Sequence, residues 1–198
     1  MVESILKNPA IEKIVNLRLK EFASNKKWFS ELCFCILTAN SKAQTAINIQ
    51  NELGTKGFLN LSQKNLSSVI KKNKHRFHNN KAKYIIEARK FSNIKEILRN
   101  LDEFESREWL VKNIKGIGYK ESSHFLRNVG YKNLAILDRH ILNFMKENNY
   151  IEEIPKSLNK NNYLEIENKF NLIARNLKMD SAELDLYMWH IKTGNVLK

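Results

Sequence analysis

At 198 residues and 42% hydrophobic side chains, the chain is long enough for one large domain or two smaller lobes, each with a real core. Its 34 Lys and Arg against 21 Asp and Glu give a net charge of +13, which points to a polyanionic partner, and its two cysteines exclude a four-cysteine metal or iron–sulfur site within one chain. No apolar run approaches the roughly 18 residues of a transmembrane helix, and Met1 to Lys13 lacks the basic start and apolar core of a secretory leader, so the chain is expected in the cytoplasm.

The apolar spacing is helical almost throughout. Ile11, Ile14, Val15, Leu19 and Phe22 mark a first amphipathic helix. Ser30 to Leu37 is strongly apolar and contains Cys33 and Cys35. One residue apart, these point to different faces of a helix and read as small core residues. The pattern predicts helices over Lys42 to Leu53, ended by Gly54 and Gly57, then over Ser62 to Lys72 and Asn80 to Phe91, with a basic join from Lys71 to Arg76. Ser106 is placed as the N-cap of a short helix ending at Asn113. Ser122, Phe125, Leu126 and Val129 form the next stripe, and Asp138 caps a helix carrying Ile141, Leu142 and Met145. Phe170, Ile173, Ala174 and Leu177 form a later stripe, and Asp180 to Glu183 resembles a capping box before Leu184, Met188 and Ile191. No repeat and no strand pair stands out; the loop around Pro155 reads as a joint. The chain is therefore expected to be all-α.

The centre carries the chemistry. Gly116-Ile117-Gly118 joins two helical patterns, Lys120 follows in the second, and Asp138 comes eighteen positions later. Glycines let a phosphate approach the backbone amides, and the N-terminus of the following helix offers it a positive dipole end. A lysine can attack a sugar carbon, and a carboxylate can manage charge and protons. In so basic a chain, this combination points to chemistry on DNA. Read alone, the same residues also fit an ordinary helix–turn–helix joint, a phosphate-contacting lysine and a capping aspartate.

Lys115-Gly116-Ile117-Gly118-Tyr119-Lys120 resembles the helix-hairpin-helix motif of base-excision DNA glycosylases, and Leu137-Asp138-Arg139-His140 resembles the aspartate segment that completes their signature. Lys115 stands where the usual residue is proline, which loses rigidity and adds a phosphate contact. The resemblance implies two helical lobes, one from the middle of the chain and one from the N- and C-terminal helices. Residues 1–198 would then form one glycosylase unit, with the hairpin at 106–129 and the active site in the cleft between the lobes. It implies Lys120 as the nucleophile on the sugar C1′, which requires an unprotonated amine, favoured by partial burial and nearby positive potential. It implies Asp138 as the carboxylate that stabilises charge on the sugar and assists proton transfer. Lys115, Gly116, Gly118 and Tyr119 would contact DNA, and His140 and His124 read as packed or supporting side chains.

The segment from Glu31 to Ala43 resembles the one where these enzymes place a polar residue into the duplex gap. Asn40 matches that position, with Ser41 and Lys42 beside it on DNA; helix capping is the plain alternative for Asn40 or Ser41. Arg76 to Arg89 resembles a cleft-lining segment. Leu184 to Lys198 is similar to the end of the compact archaeal-type 8-oxoguanine DNA glycosylase/AP lyases. There Lys198 and its carboxylate would read the base, Trp189 would stack on it, and Phe77 would cover its other face. Otherwise Trp189 is a core residue and Lys198 a tail. The implied function is excision of 8-oxoguanine followed by strand nicking through a lysine Schiff base. The implied partner is double-stranded DNA containing oxidised guanine, with no membrane, the protein acting as a monomer associated with the nucleoid. No redox cofactor and no iron–sulfur cluster are expected; the resemblance allows a monovalent cation at the hairpin carbonyls. The alternatives are a lyase for another oxidised base, such as an oxidised pyrimidine, and a non-catalytic helix-hairpin-helix DNA-binding module.

Overall fold

The computed structural model describes residues 8–196 and 198. The first seven residues, on which the leader argument partly rests, and Leu197 lie outside the described residues. No helix among the described residues is long and apolar enough to cross a membrane. In chain order the helices are α1 (Pro9–Ala23), α2 (Trp28–Thr38), α3 (Ala43–Asn60), α4 (Gln63–Lys72) and α5 (His78–Ala88). After a 3₁₀ turn at Arg89–Phe91 come α6 (Ile94–Leu98), α7 (Glu103–Asn113), α8 (Tyr119–Asn128), α9 (Arg139–Glu147), α10 (Lys160–Asn176) and α11 (Ser181–Thr193). The described residues contain no strand, and the fold is all-α. By contacts the chain divides into two compact units. Asn25–Phe125 is one, and the residues up to Ser24 and from Leu126 onward are the other.

In the middle unit, α2 is the core. Leu32, Cys33, Phe34, Cys35, Ile36 and Leu37 are fully buried. A helix apolar on every side belongs at the centre of a core, and α2 packs against both α3 and α5. Each large side chain so buried contributes about 1.5–3 kcal/mol. Cys33 and Cys35 are both buried, and burial pushes the Cys33 thiol well above its ordinary pKa. Both are core residues, as the spacing implied.

Among the differences from expectation are two helix boundaries and one short helix. Gly54 kinks α3 rather than ending it: at φ 55° and ψ −175° it turns the chain, and helical geometry resumes to Asn60. The fully buried Phe58 supplies the reason, since it anchors the second stretch in the core. Ser106 is not an N-cap. Asp102 caps α7 by accepting from Phe104 N and Glu105 N, both at 2.8 Å. Glu105 returns the bond to Asp102 N at 3.0 Å, a reciprocal box that leaves Ser106 buried one turn inside. The short α6 had no stripe to announce it; its buried Ile94 and Leu98 are four residues apart.

In the second unit, α1 starts at Asn8, whose side chain accepts from Ala10 N, with Pro9 in the first turn. Val15 and Phe22 of α1 pack with Leu186 and Tyr187 of α11. Arg127 and Asp185, each 5% exposed, form a buried ion pair, and the Arg127 guanidinium lies 4.9 Å from the Phe22 ring centre. Asp180 caps α11 through Glu183 N at 2.8 Å. The segment around Pro155 is no joint: the division falls after Ser24 and after Phe125, and Pro155 lies inside this unit.

Candidate active site

The glycine turn of the hairpin and the start of α8 belong to the middle unit. Gly116 has φ +87°, and a Cβ there would fall 2.3 Å from the Tyr84 ring. Only glycine fits, for backbone and steric reasons together. Gly118 opens α8: its carbonyl accepts from Ser122 N at 2.9 Å, and its amide donates to Glu121 Oε2 at 3.1 Å. The Glu121 side chain therefore reaches back three residues, as in the return half of a capping box. Its other oxygen, Oε1, lies 3.2 Å from Lys120 Nζ, and the Lys120 side chain is 28% exposed. Tyr119 donates its hydroxyl to the Glu108 carboxylate at 2.7 Å. Lys115, largely exposed, pairs with Glu87 at 3.2 Å.

Sequence reasoning missed Lys81. It is only 4% exposed, and its Nζ donates to Ile36 O at 2.6 Å. Burial lowers its pKa from 10.5 to about 8; Glu121 opposes the shift and the Lys120 charge adds to it. In a lysine-rich chain one lysine carries no signal, but Lys81 shares the buried face of α5 with Ile85 and Ala88. Burial also holds the His75 pKa below its ordinary value. The neutral ring suits its partners: Nε2 donates to Leu37 O at 2.9 Å, and Nδ1 accepts from Phe77 N at 3.2 Å. That bond fixes Phe77 in the turn before α5, where the Arg76 guanidinium lies 4.4 Å from its ring centre. Asn40 is exposed, with φ 60°, in the turn after α2, a conformation asparagine adopts more readily than most residues. The N-cap position of α3 is Lys42, so neither Asn40 nor Ser41 takes the capping role.

The second unit holds Asp138, Trp189 and Lys198. Asp138 caps α9 by accepting from Ile141 N at 2.9 Å. The buried segment before it is braced by α10: Tyr163 donates its hydroxyl to Ala135 O at 2.7 Å, and Glu167 accepts from Ala135 N at 3.0 Å. The carboxylate thus stands at the end of a fixed strut. Trp189 is half-buried and meets His140 edge-to-face at 4.9 Å; its buried Nε1 has no hydrogen-bond partner. Lys198 is half-buried. No group of three or more His, Cys, Asp or Glu suited to a metal ion occurs among the described residues.

An all-helical fold with a glycine hairpin leading to a half-buried lysine defines a class. The chain shares the fold of an endonuclease III solved in a non-covalent complex with DNA, with a TM-score of 0.62 at 16% identity, covering 91% of this chain and 84% of that one. The model of the family described as 8-oxoguanine DNA glycosylase matches residues 12–179, and the chain belongs to that family. An 8-oxoguanine DNA glycosylase/AP lyase of Methanocaldococcus jannaschii is 53% identical, over 98% of this chain and 96% of its own length. The 8-oxoguanine glycosylase/lyase of that organism, solved with a 15mer DNA containing 8-oxoguanine, superposes with a TM-score of 0.95 at 52% identity, covering all of this chain and 99% of the other.

Proposed function

We propose that the chain excises 8-oxoguanine from DNA and then nicks the abasic strand, with Lys120 as the nucleophile. The observation that carries this reading is Lys120 itself, held in the first turn of α8 two residues past Gly118, in a chain that belongs to the 8-oxoguanine DNA glycosylase family. Lysines and arginines bind phosphates, a contribution that weakens with salt. The lesion turns out of the stack at a cost of a few kcal/mol, and Asn40 supports the vacated duplex. Trp189, Phe77 and Lys198 recognise the base, Trp189 by stacking on it. The Lys120 amine attacks C1′, the bond from C1′ to the base breaks, and the base leaves with a proton. Asp138 stabilises the positive charge that develops on the sugar. The resulting Schiff base allows loss of a C2′ proton and the 3′ phosphate, which nicks the strand. No redox cofactor enters these steps. The protein works as a monomer, and a monovalent cation at the hairpin carbonyls is compatible with the scheme.

The test is borohydride trapping on duplexes carrying 8-oxoguanine, an oxidised pyrimidine, or undamaged guanine. A covalent adduct with the 8-oxoguanine duplex that disappears in Lys120→Gln is expected. Normal DNA binding without any adduct or cleavage would reject the enzymatic reading. Adduct formation with the oxidised pyrimidine alone would reject the substrate.

A further inference from the structure

Two groups that the scheme places on DNA, Asn40 and Phe77, lie in turns tied to the same end of α2. A helix leaves its last four carbonyls without partners in its own ladder, and at the end of α2 all four have one. Thr38 Oγ1 donates to Cys35 O at 2.9 Å, and Ser41 N to Thr38 O at 3.0 Å. The other two accept from residues 45 and 38 positions away: Lys81 Nζ donates to Ile36 O at 2.6 Å, and His75 Nε2 to Leu37 O at 2.9 Å. Both donors are buried. The same two residues hold Phe77. Its amide donates to His75 Nδ1 at 3.2 Å, and its carbonyl accepts from the Lys81 amide at 3.0 Å, as in any helix turn. His75 and Lys81 thus each tie one side of the Phe77 backbone to one carbonyl of α2, just before the turn in which Asn40 stands exposed at φ 60°.

Resting on the glycosylase/lyase reading, we propose that His75 is a positioning residue for lesion extrusion: with Lys81 it forms a bracket that holds the Asn40 turn and Phe77 in one register, so that the duplex gap is filled as the base is covered. Extrusion creates two unsatisfied surfaces at once, the vacated stack and the face of the base. A contact to one alone leaves the nucleotide free to return. A rigid neutral imidazole, which donates from one nitrogen and accepts at the other, joins the two backbone segments through a single plane. Its burial between them removes the slack that a longer, solvated side chain would allow, and positioning errors of an ångström are costly to a reaction. His75 touches neither sugar nor base in this scheme; it acts through Asn40 and Phe77.

The experiment compares full-length wild type, His75→Leu, His75→Gln and His75→Asn, with helix content and thermal melts as controls of folding. Single-turnover excision is followed on an 8-oxoguanine duplex, together with stopped-flow fluorescence of a 2-aminopurine beside the lesion, which reports unstacking. Borohydride trapping is measured on a duplex with a preformed abasic site. His75→Leu should slow excision and the fluorescence step about tenfold. Trapping at the abasic site, where no base is left to extrude or cover, should stay within about twofold of wild type. Asn40→Ala and Phe77→Ala should each cost less in the His75→Leu background than alone. Glutamine keeps a donor for Leu37 O and asparagine an acceptor for Phe77 N, so each should lose less than leucine, and both carry the test if His75→Leu fails to fold. Excision and fluorescence that stay put in all three variants would overturn the proposal. An equal loss of excision and abasic-site trapping would overturn it too, as would full additivity with Asn40→Ala and Phe77→Ala. Wild-type protein that neither excises nor traps would instead remove the underlying glycosylase/lyase reading. Hydrogen exchange at the Phe77 amide and at residues 39–42 would then still decide the bracket: faster exchange in the His75 variants supports it, and unchanged exchange overturns it.

Discussion

Replacing Lys81 by methionine should leave a protein whose stability responds differently to pH, by an amount set by one buried charge. The folded chain holds the Lys81 pKa at about 8 instead of 10.5, chiefly by burial. Between those two pH values the unfolded chain binds more protons than the folded one, so wild-type stability rises with pH across that window. The full drop corresponds to about 3 kcal/mol. Below pH 8 both states are protonated and the whole cost is present; above 10.5 it has gone. Methionine fills a similar volume without a charge, so the variant lacks this slope. It also strips the Ile36 carbonyl of its 2.6 Å donor, a loss of about 1–3 kcal/mol that hardly depends on pH. The two effects nearly offset at pH 7, where Lys81→Met should be as stable as wild type or up to about 2 kcal/mol more stable. By pH 10 the comparison should have moved toward wild type by about 2–3 kcal/mol. Urea unfolding of both proteins from pH 7 to 10 at fixed ionic strength measures this, and the titrating groups not coupled to Lys81 cancel in the difference. A gap between the two proteins that is the same at both ends would refute the buried-charge reasoning.

Gly116→Ala should destabilise the hairpin by more than the roughly 1–2 kcal/mol of a left-handed alanine, because the new methyl meets Tyr84 at 2.3 Å. A thermal melt in a Tyr84→Ala background should recover the steric part, and an unchanged cost there would exclude the clash. Asp138→Asn keeps a capping oxygen for Ile141 N, so melting should shift little while single-turnover excision slows at least tenfold, in keeping with a charge-stabilising role; an unchanged rate would remove Asp138 from the chemistry. Arg127→Met leaves Asp185 charged, buried and without its ion pair, which should cost about 3–5 kcal/mol. The double variant Arg127→Met with Asp185→Leu should regain much of that in chemical denaturation, and a double variant no better than the single would contradict the account.

The helical architecture was legible because periodicity reports burial directly, and α1, α4, α9 and α11 follow their stripes closely. Asp138 as a cap could be read from its place just before an apolar stripe. The start of α7 was misplaced because Ser106 and Asp102 are both good caps by type, and only the reciprocal bond with Glu105 separates them. Gly54 failed as a stop signal because local propensity says nothing of Phe58, whose burial continues the helix beyond the kink. At the site, the glycines and Lys120 stood out because their spacing is unusual. Lys81 did not, because its role depends on which carbonyl its amine reaches, and Ile36 is forty-five positions away. Glu121 was hidden in the same way: a carboxylate at the third position of a helix is common, and its second oxygen on Lys120 appears only in three dimensions.

The packing of Val15 and Phe22 against Leu186 and Tyr187 joins the first described helix to the last. On the ribosome α1 is made long before α11, so α1 must wait for α11 before its apolar face is covered. The middle unit, by contrast, is one continuous stretch and can fold while the remainder is still being translated. Chain growth therefore delivers the unit carrying Lys120 first and completes the one carrying Asp138 only once α11 has been made. A nascent chain that stalls before α11 would expose Val15 and Phe22, a mark for chaperones and proteases rather than a half-active enzyme.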